Sequence, residues 1–289
     1  DQVSGVQSGY AFDKKEEQEK ALGLWQNWKK EHTTLQKLVS DLLTSASKED
    51  IKKELLAFEE KGLSALAKAF PSSKSAQEKT LLLAAMAQFS GAEKVVRPFL
   101  SEIDPEVRGE VYRTLQQIQD SYFVSQISFY YLKETNKGLR LLLLSLMPSE
   151  QLALYQNELP LYIAGSYSMN LLAQAIQKSS LPNKNTLLIQ IAEKLEDEAA
   201  FIQIFGMISS EINASKIATL TSLLEKHQKP QIVETILVAL RKIKALSAAP
   251  LNDKTAYLLW YKNNSSELEK QIVLEKAALE FLKESSFIA

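Results

Sequence analysis

His32 and His227 are the only histidines in this chain of 289 residues, and imidazole is the commonest general base and zinc ligand near neutral pH. His32 falls on the apolar stripe of a predicted helix, where a satisfied, half-buried ring is expected. His227 sits at a predicted helix C-terminus beside Lys226 and Lys229, where a cation meets the helix dipole favourably. Neither has a second histidine at ligand spacing, so no metal site is assigned. The chain has no cysteine, which removes thiolate nucleophiles, thiolate metal sites and a disulfide framework. Its 35 Asp and Glu residues could supply a carboxylate pair for acid–base work, but most occupy predicted exposed faces opposite lysines and single out no position. Phosphate-cradling glycine loops, a Gly-x-Ser-x-Gly elbow and kinase signatures do not occur. No catalytic, cofactor-binding or metal-ligating residue is assigned, and no cofactor.

Aromatic residues are the other side chains with chemistry to offer, because interfaces favour Tyr, Trp and Phe. They cluster at Tyr122-Phe123 with Phe129-Tyr130-Tyr131, at Tyr155, Tyr162 and Tyr167, and at Tyr257, Trp260 and Tyr261. Successive residues of a helix turn by about 100°, so adjacent rings cannot all enter one core. Most are expected to pack between helices, and Phe129, Tyr130 and Tyr131 are the candidates for exposed contact with a partner.

The elements that must position these residues read as helices throughout. Only 9 glycines and 8 prolines occur in a chain that is 45% hydrophobic and rich in Leu, Ala, Lys, Glu and Gln, which favours helix over strand and provides for a large core. The clearest start is Asp104-Pro105-Glu106-Val107-Arg108: an acidic cap, proline at the first helical position, then Val111, Leu115 and Ile118 in one stripe. Pro230, Ile232, Ile236, Leu240 and Ile243 repeat that spacing, which points to a repeated helical unit. Capping boxes are predicted at Asp13/Glu16, Ser47/Asp50 and Ser75/Glu78. Stops are predicted at Phe70-Pro71 and Gly91. The first helix carries Ala21, Trp25, Trp28, His32, Leu35, Val39 and Leu42 and is either continuous or broken near Thr33-Thr34. Punctuation follows at 136–138, 147–149, 159–160, 181–183, 229–230 and 249–252, and a last helix is expected from about Ser266 to Lys283.

The segment from Lys94 to Gln119, with Asp104-Pro105-x-Val107-Arg108 at its turn, resembles a HEAT repeat. That resemblance implies an α-solenoid of antiparallel helix pairs and a bonding role between neighbouring repeats for Asp104 and Arg108. The Pro230 unit keeps the stripe but has Lys229 and Val233 where the acid and the arginine would stand. The predicted organisation is a polar N-terminal tether over 1–12 and one α-solenoid domain over 13–289, less regular over 13–91 and HEAT-like over 92–289.

A formal net charge of −1 argues against nucleic acid, which needs a basic stripe able to displace counterions. No apolar run approaches the roughly 18 residues that span a bilayer. Asp1 to Tyr10 reads as a tether behind a removed signal or lipid-anchor segment, so an exported or cell-envelope location is preferred over the cytoplasm, with membrane tethering through that removed segment. The function expected is a non-enzymatic scaffold or adaptor that binds protein or peptide on the surface of a helical array. The alternatives are a HEAT-like enzyme acting on nucleic acid and an α/α-toroid hydrolase with paired carboxylates.

Overall fold

The computed structural model describes residues 15–165, 167–208 and 214–285, and every regular element among them is helical. The expected tether over 1–12 and Asp13 of the first capping box lie outside the described residues. The chain gathers into two compact units, Asp1–Leu146 and Met147–Ala289. Their join falls at the Met147-Pro148-Ser149 punctuation, with no low-complexity linker to mark it.

The first unit runs α1 (Lys15–Thr44), α2 (Lys48–Leu56), α3 (Glu59–Ala69), α4 (Ala76–Met86), α5 (Ala92–Val96), α6 (Pro105–Gln117), α7 (Ser121–Lys133) and α8 (Lys137–Leu146). Short 3-10 turns follow α3 and α5, at Phe70–Ser72 and Arg97–Ser101. α1 passes through Thr33-Thr34 without a break, and both hydroxyls donate to carbonyls one turn back, at Lys29 and Lys30, each at 2.9 Å. Leu35, Leu38, Val39 and Leu42 of α1 are buried, where the helix packs on α2 and α3. Ser75 caps α4 by accepting from the Glu78 N–H at 3.1 Å, and the Glu78 carboxylate accepts in turn from the Lys74 N–H at 2.8 Å. At α2, the Ser47 hydroxyl instead donates to the Asp50 carboxylate at 2.7 Å. Gly91, expected as a stop, opens α5 with φ of 78°, since α4 has already ended at Met86.

α6 organises the C-terminal half of this unit. Asp104 caps it, accepting from the Glu106 N–H at 2.8 Å, with Pro105 in the first turn where its missing N–H costs nothing. Val107, Val111, Tyr112 and Leu115 are buried. Gly109 lets α6 approach α8 closely: a Cβ there would come within 2.8 Å of Leu139 Cδ2. The helix ends in a left-handed turn at Gln119 (φ 55°), where the Asp120 N–H reaches back to the Leu115 carbonyl at 2.9 Å. This is a Schellman closure made without glycine, and it delivers Asp120 as the cap of α7, accepting from the Tyr122 N–H at 3.2 Å.

The second unit runs α9 (Ser149–Leu152), a 3-10 segment at Gln156–Tyr162, α10 (Met169–Lys178), α11 (Lys184–Ala192), α12 (Glu198–Ile208), α13 (Ile217–Lys226), α14 (Pro230–Arg241) and α15 (Lys254–Ser285). Ile232, Ile236, Leu237, Ala239 and Leu240 of α14 are buried at the positions that Val107, Val111, Tyr112, Thr114 and Leu115 hold in α6. Lys229 stands where Asp104 does and makes no cap bond; its ammonium reaches the Glu196 carbonyl instead. The last helix begins at Lys254 and not near Ser266. Asp253 caps it, accepting from the Ala256 N–H at 2.6 Å. The Asn263-Asn264-Ser265-Ser266 run does not interrupt it, since Asn264 turns its amide onto the Trp260 carbonyl at 2.7 Å and no Gly or Pro intervenes. Leu268 is buried on this helix, while the side chains at Ala278, Leu279 and Leu282 are outside those described.

Candidate functional site

The structural setting of Arg108 begins with its place one turn into α6. From there its guanidinium forks onto the Glu134 carboxylate, Nε at 2.9 Å and Nη2 at 3.0 Å, while Nη1 donates to the carbonyls of Glu102 at 2.6 Å and Ile103 at 3.0 Å. One side chain thereby ties the end of α7 to the stretch that leads into its own helix. Glu134 is also the acceptor for the Tyr112 hydroxyl at 3.1 Å and for the Asn136 N–H at 2.9 Å. Burial works to raise the Glu134 carboxyl, but the bonds from Arg108 and the Asn136 N–H outweigh it and hold the group below the usual carboxylate range. Burial and the facing Glu134 charge push the Tyr112 phenol up, so it remains a neutral donor.

The Asp104 carboxylate serves its own helix as a cap, and the two residues are joined only through the backbone, the Arg108 N–H donating to the Asp104 carbonyl at 2.9 Å. The acid that Arg108 meets lies 26 residues on. A second pair of the same kind lies beside it. Arg97 Nε donates to Asp120 at 2.8 Å and Nη2 reaches the other oxygen, and this bonding depresses the Asp120 carboxyl. The Arg97 guanidinium also lies over the Tyr122 ring, 5.0 Å from its centroid. Glu102 is held by Lys79 at 2.9 Å; its burial is again outweighed, and its carboxyl too is lowered.

The three aromatic candidates part company on α7. Phe123, Ile127 and Tyr131 lie four residues apart and form the buried face. Tyr131 is therefore fully buried, and the expectation that it makes exposed contacts is corrected: its ring lies under the Arg140 guanidinium, 4.4 Å from centroid to Cζ, and its hydroxyl bonds Arg140 Nη2 at 2.9 Å. Tyr130 is half-buried, tilted against Phe123 and Tyr112. Phe129 is 47% exposed and meets the edge of Tyr130 at 5.5 Å. Lys133 lies over Phe129, with Nζ 4.1 Å from the ring centroid.

These groups surround an open groove of about 560 Å³ between the Arg97–Ser101 turn and the C-terminal half of α7. Its walls include Phe129, Tyr130, Lys133 and Arg108, with Ile103 at the mouth. Ile103 is 90% exposed. Sequence reasoning missed Ile103, Lys133, Glu134 and the Arg97–Asp120 pair. Asp120 alone carried a readable signal, an acid opening the Ser121 helix as Asp104 opens the Pro105 helix.

The remaining candidates serve packing. His32 is half-buried and stacked on Trp28 at 5.0 Å. His227 follows α13 and meets Phe201 edge-on at 5.0 Å, and its Nε2 is buried without a hydrogen-bond partner among the described residues. Burial lowers its pKa, so the favourable cation–dipole contact expected there gives way to a neutral ring. Tyr257 is buried and shares a 2.8 Å hydrogen bond with Thr221; its phenol is pushed up to about 12 by burial. Tyr162 and Tyr167 pack edge to face at 5.3 Å. No cluster of three or more His, Cys, Asp or Glu suited to a metal ion occurs among the described residues, and none of the described helices is long and apolar enough to cross a membrane.

Comparison with protein-family models, curated proteins and solved structures finds no match to this chain.

Proposed function

We propose that this protein is a protein-binding scaffold or adaptor and that the groove between the Arg97–Ser101 turn and α7 is a site where it holds a partner. The observation that carries the reading is the apolar surface gathered there: Ile103 and Phe129 are 90% and 47% exposed and line a groove whose base is tied together by buried ionic bonds. A single exposed apolar residue needs no explanation, whereas a group of them rimming a concavity marks an interaction site. The carboxylates that line the groove favour binding over catalysis. Glu102 and Glu134 are both engaged by cations and held below their ordinary range, so neither is poised to donate a proton near neutrality. That disfavours this groove as the site of a paired-carboxylate hydrolase.

The correspondence of buried positions between α6 and α14 supports a HEAT-like kinship between these two helices. In that reading Arg108 is a structural tie, and the exposed Phe129 and half-buried Tyr130 are the accessible part of the aromatic run. The test is selection of short random peptides displayed on phage against the immobilised full chain. Enrichment that disappears when the Phe129→Ser variant replaces the parent supports a binding groove. Enrichment equal on both proteins, or none on either, counts against it.

A further inference from the structure

We infer that the groove beside α7 is selective for an acidic peptide segment, one in which a bulky apolar or aromatic side chain stands next to an Asp or Glu; this rests on the protein-binding reading above. The argument is one of charge complementarity. The groove and its immediate support hold four cations and three carboxylates. Arg97 is engaged by Asp120, Arg108 by Glu134 and Lys79 by Glu102. Lys133 is left over: it has no carboxylate partner among the described residues, and its ammonium lies against the face of Phe129. With every acid matched one to one, the charge the groove presents to a visitor is that of Lys133. Arg97, with about a third of its side chain exposed, adds to it from the other wall.

The apolar half of the specificity comes from the same place. Phe129 and Ile103 are exposed on the two sides of the groove, so a bulky side chain entering between them is removed from water on both faces. The cation beside that slot would then find its carboxylate on the neighbouring residue of the visitor. The Tyr130 phenol supplies a polar anchor. It lines the groove, makes no hydrogen bond to a described residue, and its pKa is raised, first by burial, so that it presents O–H to a backbone carbonyl. A single-stranded nucleic acid would also offer anions and rings, but it needs a track of cations along its backbone, and here a single cation is unmatched.

The test uses the full chain and fluorescein-labelled synthetic peptides read by fluorescence polarisation, in three matched sets: Phe or Leu beside Asp or Glu, the same apolar residues beside Gln, and the same beside Lys. The expected result is that the acidic set binds about tenfold more tightly than the neutral set, as one desolvated charge pair can provide. Lys133→Glu should reverse the order in favour of the basic set, and Phe129→Ser should weaken all three. Both substitutions fall at exposed positions, and circular dichroism checks that the helical spectrum is retained. If the three sets bind equally and all depend on Phe129, the acidic preference is overturned while the protein-binding reading stands. If no set depends on Phe129, both fall. Displacement of the acidic peptides by unlabelled oligodeoxythymidine at equal concentration would also overturn the proposal in favour of a polyanion site.

Discussion

Removing the Arg108 guanidinium would leave the Glu134 carboxylate, only 3% exposed, with the Tyr112 hydroxyl and one N–H as its remaining partners. An unpaired buried charge costs more than the pair contributed. Arg108→Ala should therefore lower the unfolding free energy by about 3 kcal/mol, measured by urea denaturation. Arg108→Lys should recover only part of that loss, because a point cation cannot serve a two-oxygen fork and two carbonyls together. Arg108 was legible in the sequence through the Asp-Pro-x-Val-Arg pattern, but its partner was not. The resemblance implies a bond to a neighbouring repeat without naming the acid; that acid is set by how α7 folds back, and spacing along the chain does not encode that distance. Tyr131 shows a related limit. The run Phe129-Tyr130-Tyr131 had to divide between core and solvent, and the four-residue spacing of Phe123, Ile127 and Tyr131 decides which ring is buried.

Helix starts are more legible in this sequence than helix ends. Asp104-Pro105, Ser75 and the Pro230 start carry their conformational reasons in their own residue types, so pattern and structure agree there. The corner between α6 and α7 does not announce itself, since Gln119 takes the left-handed conformation that glycine usually supplies. Gln119→Gly should accordingly raise stability by about 0.5–1 kcal/mol, seen as a higher urea midpoint at unchanged slope; a lower midpoint would show that the Gln119 side chain matters in its own right. The start of α15 lies well ahead of the expected Ser266 for the opposite reason. Asn and Ser residues at 263–266 look like a break, but inside a formed helix Asn264 bonds the preceding turn.

At the scale of the whole molecule, the two units should respond to acid through different groups. His227, in the second unit, is held neutral by burial, with its folded pKa below the ordinary 6.5. Its contribution is intact above that value and is lost as pH falls through the folded pKa. Asp120 and Glu134, in the first unit, are depressed carboxyls. Their contribution is present above the ordinary carboxylate range and is lost only at lower pH. Hydrogen exchange resolved by segment should therefore show 147–285 loosening before 15–146 as the solution is acidified, and His227→Gln should remove the earlier step. Simultaneous loosening in the parent protein would contradict that assignment.

The central claim, that the groove beside α7 receives a partner, is tested most directly by amide hydrogen exchange of the full chain at saturation with a peptide selected on it. The account predicts slowed exchange confined to residues 97–104 and 126–135, with residues 254–270 unchanged. Slowed exchange elsewhere, with the groove segments unaltered at full occupancy, would contradict it.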